Sequence, residues 1–327
     1  INYSKKLKKI EILSVIYSYV TIREKKLIAE KIELEKKVTE RTEEVVKQKE
    51  IIEEKNEEIM DSIDYAQGIQ EAILPSLEKV KIHLPESFIL FNPKDIVSGD
   101  FFWMEEKNGL LFFTAADCTG HGVPGAFVSM IGVNGLHRAV NEYDLLKCNE
   151  ILDKLRSLVE ETFPERKDGM DMGLCAVDLK TKQLQFAGAN NPLWVVRKKG
   201  IPLLNVNGED IESKIGDDYC DLYEVKADKQ PVGSYEAAVP FTNNILKLEE
   251  GDSLYLFSDG YLDQFGGPKG KKFMSKSLKK LLISLYDKDM EEQKSFLKNR
   301  MDEWMTEGKS EQIDDICIFG VKILNNT

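Results

Sequence analysis

The sequence reads as an α+β fold: two packed, mostly antiparallel sheets with helices outside, preceded by a long helical arm. Three observations carry this. Residues 1 to about 74 are dominated by Lys, Glu and Ile, with Gly68 the only glycine and no proline before Pro75. From Phe88 onward, short apolar runs rich in β-branched and aromatic residues appear, bounded by Gly, Pro, Asn and Asp. Those runs come in groups separated by pairs of amphipathic stretches, an order that lacks the strict strand–helix alternation of a parallel sheet.

The 327 residues suit one large domain plus an extension. We place the boundary at 74/75, giving an arm over 1–74 and a globular domain over 75–327. A hydrophobic content of 42% supports a substantial core. The net charge of −12 argues against a nucleic-acid surface, which needs a basic patch. Cys118, Cys148, Cys175, Cys220 and Cys317 form no Cys-x-x-Cys pair and read as reduced thiols of a cytoplasmic protein. His83, His121 and His137 match no familiar zinc spacing. There is no signal-peptide pattern, and no run reaches the roughly 18 apolar residues of a membrane span. The chain opens on Ile1, so an upstream sensor segment is expected, with this chain the cytosolic part of a longer protein.

The arm fits a heptad frame. With Ile10 at a, that position holds Ile10, Tyr17, Glu24, Lys31, Val38, Val45, Ile52, Ile59, Ala66 and Ile73. Position d holds Leu13, Val20, Leu27, Leu34, Arg41, Gln48, Lys55, Ser62 and Ile69. Through most of the arm one seam position per heptad is apolar, which describes a weak-cored parallel coiled coil and a homodimer. A single solvated helix with pairs such as Glu43 to Lys47 is the alternative. The segment Val38-Thr39-Glu40-Arg41-Thr42 resembles the Glu-Arg-Thr segment of signalling helices that join sensor and output domains. A marginal seam suits that task, because two registers can lie close in energy and an input can bias them. Pro75 ends the helix.

Strands are expected near 87–91, 96–104, 110–116, 172–179, 183–189, 192–198, 244–248, 252–258 and 314–323. Helices are expected over 124–141, 149–163, 275–286 and 289–305. Pro124 suits a first helical turn, and Ala126, Phe127, Met130, Ile131, Val133, Leu136 and Val140 make one broad core-facing side. The polar run from about Gly200 to Gly233 reads as a long connection, a flap over the site. The glycines of Tyr261–Gly267 suggest a mobile loop.

Carboxylates stand at the ends of four apolar strands. Asp100 lies in Val97-Ser98-Gly99-Asp100, and Asp117 follows Leu111-Phe112-Phe113-Thr114-Ala115-Ala116. Asp259 follows Ser253–Ser258 and precedes Gly260, while Asp314 and Asp315 open the run Ile316–Val321. Any one alone reads as a turn aspartate. Several gathered together would repel and raise one another's pKa unless a cation joined them, and hard divalent ions take oxygen ligands. Asp171, in Gly169-Met170-Asp171-Met172-Gly173, reads as a simple strand-start aspartate.

The ordered stretches resemble the metal-dependent type 2C (PPM) serine/threonine protein phosphatases, in their SpoIIE/RsbU-like branch. They are Ser98–Trp103, Ala116–Ala126 (Ala-Asp-Cys-Thr-Gly-His-Gly-Val-Pro-Gly-Ala), Ala187–Pro192 (Ala-Gly-Ala-Asn-Asn-Pro), Phe257–Gly260 and Gln312–Asp315. The resemblance covers about 85 to 325 and implies a PPM-like αββα sandwich. It implies two Mn²⁺ or Mg²⁺ ions, with Asp117 bridging them, Asp100 completing the first site and Asp259 and Asp314 serving the second. Asp100 and Asp117 would act through a metal-bound water held between ions about 4 Å apart. The backbone carbonyl after the bridging aspartate is a ligand in the family. Here that carbonyl belongs to Cys118, where Gly or a small apolar residue is usual. Asp315 is expected to support the ligands from behind, and the resemblance to some relatives makes Asp171 a candidate for an extra, weaker ion. His121 is expected to position the turn before the helix, with a general-acid role as the alternative. Lys94 stands as the possible phosphate-binding cation.

The function implied is hydrolysis of phosphoserine or phosphothreonine on a bacterial regulatory protein of the anti-sigma-factor antagonist type, controlled through the N-terminal helix. Two alternatives are a pseudophosphatase that binds a phosphoprotein without turnover and a hydrolase of another phosphoester.

Overall fold

The computed structural model describes residues 2–165 and 167–324. Residue 1 of the expected arm and residues 325–327 of the expected globular domain lie outside the described residues. The chain divides into two compact units, Ile1–Ser62 and Ile63–Thr327. One helix, α1 (Asn2–Ile73), passes through the division. Among the described residues no helix is long and apolar enough to cross a membrane.

Within the first unit, Lys and Glu favour helix, and neither Gly nor Pro interrupts them. Exposed pairs line the surface, among them Lys26–Glu30, Lys31–Glu35, Lys36–Glu40 and Lys49–Glu53 at i,i+4. Leu13, Val20, Leu27, Leu34, Val38, Val45, Ile52 and Ile59, apolar members of the heptad frame, are all exposed.

In the second unit, α1 stops at Ile73, two residues before Pro75, because the residue preceding proline avoids helical backbone. A short helix not expected from the sequence, α2 (Leu77–His83), follows; Ser76 caps it by accepting from Lys79 N–H. Then come β1 (Ser87–Asn92), β2 (Phe101–Lys107), β3 (Leu110–Cys118), α3 (Gly122–Asn141), α4 (Cys148–Thr162), β4 (Gly169–Asp178), β5 (Gln183–Ala189) and β6 (Leu193–Lys198). Five further strands are β7 (Leu203–Leu204), β8 (Asp210–Ile211), β9 (Ser213–Gly216), β10 (Cys220–Val225) and β11 (Val232–Gly233). The chain closes with β12 (Asn244–Lys247), β13 (Ser253–Phe257), α5 (Gly260–Asp263), β14 (Phe265–Gly266), β15 (Lys271–Lys272), α6 (Ser275–Ser284), α7 (Met290–Gly308) and β16 (Ile316–Lys322).

One sheet runs β1-β16-β13-β6-β10-β9; the other runs β12-β5-β4-β3-β2, with β11 pairing β4. The pairings in both are antiparallel. Phe113, Phe186, Leu256 and Phe319 fill the space between the sheets. Phe112, Leu136, Leu155 and Met172 fill the space under α3 and α4, and Trp194, Tyr255, Leu282 and Leu297 the space under α6 and α7. Neighbours such as Phe112 and Phe113 therefore enter different cores, as the period of two requires. The result is the expected α+β sandwich with helices on both faces.

Four local expectations need correction. The strand expected over 96–104 begins only at Phe101, because Ser98 and Gly99 spend their backbone groups on side chains of Gln70 and Asp315. The helix expected from Pro124 begins at Gly122, and its Phe127 points outward at 62% exposure. The polar run 200–233 contains five strands, of which β10 lies inside the six-stranded sheet; its alternation of Leu222, Tyr223 and Val225 was too short to stand out. The glycines near 266 serve close packing: a side chain at Gly266 or Gly267 would strike Trp304.

Candidate active site

The antiparallel register Phe101↔Ala116 puts Asp100, just before β2, and Asp117, near the end of β3, at the same sheet edge. The next pairing sets Asp171 of β4 directly across from Asp117. From the other sheet, β13 ends two residues before Asp259, and β16 begins just after Asp314 and Asp315. Strand pairing of β13 with β16 keeps those two ends together. Both sheets thus deliver acids to one place. Asp117, Cys118, His121, Asp171, Asp259 and Asp314 line a single cavity of about 330 Å³. The Asp259 backbone N–H donates to Asp117 Oδ2 at 3.5 Å across the junction of the sheets.

Glycines make this junction possible. A Cβ at Gly99 or at Gly125 would collide with the Gly120 carbonyl, and one at Gly260 with the Asp315 carbonyl. Gly120 and Gly122 adopt φ of +87° and +63°, which L side chains rarely tolerate. The spacing of glycines in the sequence motifs therefore records backbone-on-backbone contact around the acids.

Of the remaining expected residues, Asp100, Asp315 and Lys94 do not line the cavity. Asp100 is buried, and its Oδ2 has no hydrogen-bond partner among the described residues. Asp315 is buried and holds the preceding loop, accepting from Lys94 N–H and Gly99 N–H, both at 2.7 Å. His121 Nδ1 lies 2.8 Å from Asp95 Oδ2, while Lys94 Nζ lies 3.3 Å from His121 Nε2. The three side chains clasp the Gly-His-Gly turn to the loop before β2. Asn190 Nδ2 donates to Asp171 Oδ1 at 2.8 Å, so the Ala187–Pro192 turn orients a side chain of the cavity as well as shaping the loop.

Sequence reasoning missed Gln70 and Gln264. Gln70 accepts from Ser98 N–H at 3.0 Å and donates to the Ser98 carbonyl at 2.7 Å and to Ser129 Oγ at 2.9 Å. It occupies the place a strand partner would take, two residues before Asp100. Its only sequence signal was a polar residue beside Ile69 on the helical seam.

The acids are electrostatically costly as they stand. Burial, then the charge of Asp117, pushes Asp100 well above the usual carboxylate range. Burial, then the Asp259 charge, pushes Asp117 up to about 8. Asp259 is raised by burial and then by Asp314, and Asp171 is raised by burial. A divalent cation reverses this balance, since it favours the ionised form of every acid around it. The all-oxygen set suits Mg²⁺ or Mn²⁺, and the orphaned buried oxygen of Asp100 is an acceptor in need of a partner. Among the described residues no three His, Cys, Asp or Glu side chains are gathered closely enough to form a ready-made ion cage.

Two sandwiched sheets with an acidic junction at their shared edge define a PP2C-type phosphatase fold. The profile described as Stage II sporulation protein E (SpoIIE) matches residues 107–324, and the chain belongs to that family. Phosphatase is accordingly its class of activity. Among solved structures, the SiaA-PP2C domain of Pseudomonas aeruginosa is 29% identical with a TM-score of 0.69, covering 82% of this chain and 98% of that one. The PP2C phosphatase domain, with a fragment of the regulatory domain, of SpoIIE from Bacillus subtilis is 18% identical with a TM-score of 0.55, covering 74% and 64%. The RsbU and RsbW domains of a Mycobacterium tuberculosis protein are 16% identical with a TM-score of 0.51, covering 75% and 62%. These last two share the fold. No curated protein matches the chain.

Proposed function

We propose that this protein is a Mn²⁺- or Mg²⁺-dependent phosphatase acting on phosphoserine or phosphothreonine of a cytoplasmic regulatory protein, of the anti-sigma-factor antagonist kind. The observation that carries this reading is the convergence of Asp117, Asp171, Asp259 and Asp314 on one cavity, in a chain of the SpoIIE family. Asp117, standing between the two sheets, would hold both ions. Asp100 and the Cys118 carbonyl would complete the first position, and Asp259 and Asp314 the second. Two bound divalent ions would lower the pKa of a water and neutralise charge on the phosphoryl group.

The chain's own residues do the positioning. Asp315 holds the Lys94–Gly99 loop, and Asp95 with Lys94 orients His121 at the cavity wall. Asn190 sets Asp171, a candidate for a further, weaker ion. The arm over 1–74 would pair with a second copy and bias the catalytic domain over 75–327, its junction with that domain (about 60–85) tuning ion occupancy of the site. Support comes from the exposed apolar seam positions of the arm and from Gln70, which ties the end of the same helix to the backbone leading to Asp100.

The test is phosphate release from a phosphoprotein with and without Mn²⁺. Release should require the metal and fall by about a thousandfold or more in Asp117→Ala and Asp259→Ala, since loss of a metal ligand removes most of the charge stabilisation. Undiminished release by either variant would sink the assignment. Stoichiometric binding of the phosphoprotein with no release at saturating Mn²⁺ would replace the reading with a binding module.

A further inference from the structure

Gln264 is fully buried although it lies in the turn after a four-residue helix. That helix, α5, has Asp259 immediately before it and Gln264 immediately after it. The Gln264 N–H donates to the Gly260 carbonyl at 3.1 Å, so a single turn fixes the glutamine relative to Asp259. Its side chain then crosses to a segment far along the chain. Nε2 donates to the Glu311 carbonyl at 2.9 Å and to the Phe265 carbonyl at 3.0 Å, and Oε1 accepts from Ile313 N–H at 3.1 Å. Its own carbonyl accepts from Trp304 Nε1 at 3.1 Å and from Phe273 N–H at 3.0 Å. The two distant backbone groups it holds flank Gln312, and Asp314 follows directly. Gln312 adds to the same loop, donating from Nε2 to the carbonyls of Asn92 and Asp314, each at 2.8 Å.

We infer that Gln264 is a positioning residue that sets the distance between Asp259 and Asp314 and thereby the affinity of the ion position those two acids would share. The inference rests on the two-ion reading above and adds to it a residue that touches neither the ion nor the substrate. The physical need is plain. Asp259 and Asp314 lie on separate segments, carry like charges, and push apart unless something ties their backbones. A primary amide suits the tie, because it offers two donors and an acceptor in one plane. Glutamate at 264 would keep the acceptor for Ile313 and turn a carboxylate oxygen toward the Glu311 carbonyl. Alanine would remove the side-chain partner of both the Glu311 carbonyl and the Ile313 N–H and so untie the two segments. Close packing around the amide leaves the loop little room to readjust: a Cβ on Gly260 would meet the Asp315 carbonyl, and one on Gly266 would meet Trp304.

Calorimetric titration of the full chain with Mn²⁺ alone tests this, comparing wild type, Gln264→Ala, Gln264→Glu and Gln293→Ala. Gln293 is an equally buried glutamine that accepts from Tyr255 Oη–H at 2.6 Å, in the middle of β13, and donates to the Lys288 carbonyl at 3.2 Å, so it makes neither of the contacts that join the turn after Asp259 to the segment before Asp314. Wild type should bind two ions. Both Gln264 variants should weaken one binding step by about 10–100-fold, the range seen when a partner behind a metal ligand is removed. Gln293→Ala should lower the thermal midpoint and leave both steps intact. Unchanged Mn²⁺ binding in Gln264→Ala overturns the proposal, as does equal weakening in Gln293→Ala. Should Gln264→Ala fail to fold, Gln264→Glu carries the same expectation and the same refutation. Wild type that binds no Mn²⁺ overturns the two-ion reading itself, and the role of Gln264 with it.

Discussion

In the arm, Lys37 Nζ lies 2.7 Å from Glu33 with both side chains about two-thirds exposed. In the globular unit, Arg197 Nη2 lies 2.6 Å from Asp252 with both nearly fully buried. The contacts are alike in length and differ in consequence. The arm pair is screened by water, joins residues one turn apart, and adds a few tenths of a kcal/mol to a helix that Lys and Glu already favour. The buried pair is part of a network. Arg197 Nε donates to Asp252 Oδ1 at 2.8 Å, Nη1 to the Pro202 carbonyl at 2.6 Å and Nη2 to the Lys247 carbonyl at 2.9 Å. Asp252 also accepts from Glu249 N–H at 2.8 Å. Removing one partner there strands a charge in the core. The comparison teaches that charge pairing adds little to the arm, whereas in the unit carrying the acids a buried pair ties several segments together.

The largest effect follows from the buried pair. Arg197→Ala should cost about 3–5 kcal/mol in urea denaturation, because it leaves Asp252 buried and unpaired. A loss below about 1 kcal/mol would break the contrast with the arm.

The next effect comes from the acids. Asp117 has its pKa raised from an ordinary 3.8 to about 8, chiefly by burial and then by Asp259. An acid raised by folding contributes stability that is complete below its unfolded value and is lost as pH rises through the folded one. Protein stripped of divalent ions with EDTA should therefore lose on the order of a few kcal/mol between roughly pH 4 and pH 8. Mn²⁺ should flatten that loss by favouring the ionised acids. A pH profile of thermal midpoints that is the same with and without Mn²⁺ would remove the electrostatic argument for the site.

The smallest effect on the globular unit is expected from the arm. Deleting residues 1–62 should move its thermal midpoint by no more than about 2 °C, since exposed surface pairs contribute little. Light scattering should meanwhile report a dimer for the full chain and a monomer for the truncated one. Equal masses for the two would exclude pairing through the arm.

Much of the fold was legible. The Lys/Glu-rich run without proline announced α1, and short apolar runs such as Leu111–Ala116 announced strands. β10 was hidden by its polar surroundings, and α2 by its shortness. At the site, Asp117 and Asp259 stood out as acids closing apolar strands, and Asp314 as one opening a strand. Gln264 gave no such sign, because a glutamine after Asp263 looks like any turn residue until Ile313 is seen beside it.

By itself, the sequence determined what depends on near neighbours: the helix of the arm, the strand periods, and the placing of glycines where backbones must touch. The tertiary structure alone decided which acids meet. Gly99 and Asp315 join across 216 positions, and Asp117 and Asp259 across 142. Those meetings are set by the registers of two sheets and by their packing on one another. Periodicity acts over a few residues, whereas a charge responds to whatever the finished fold brings near it. That is why Asp100 can be read as an acid at a strand end, yet only the folded chain reveals it as a buried acid with an unpartnered oxygen.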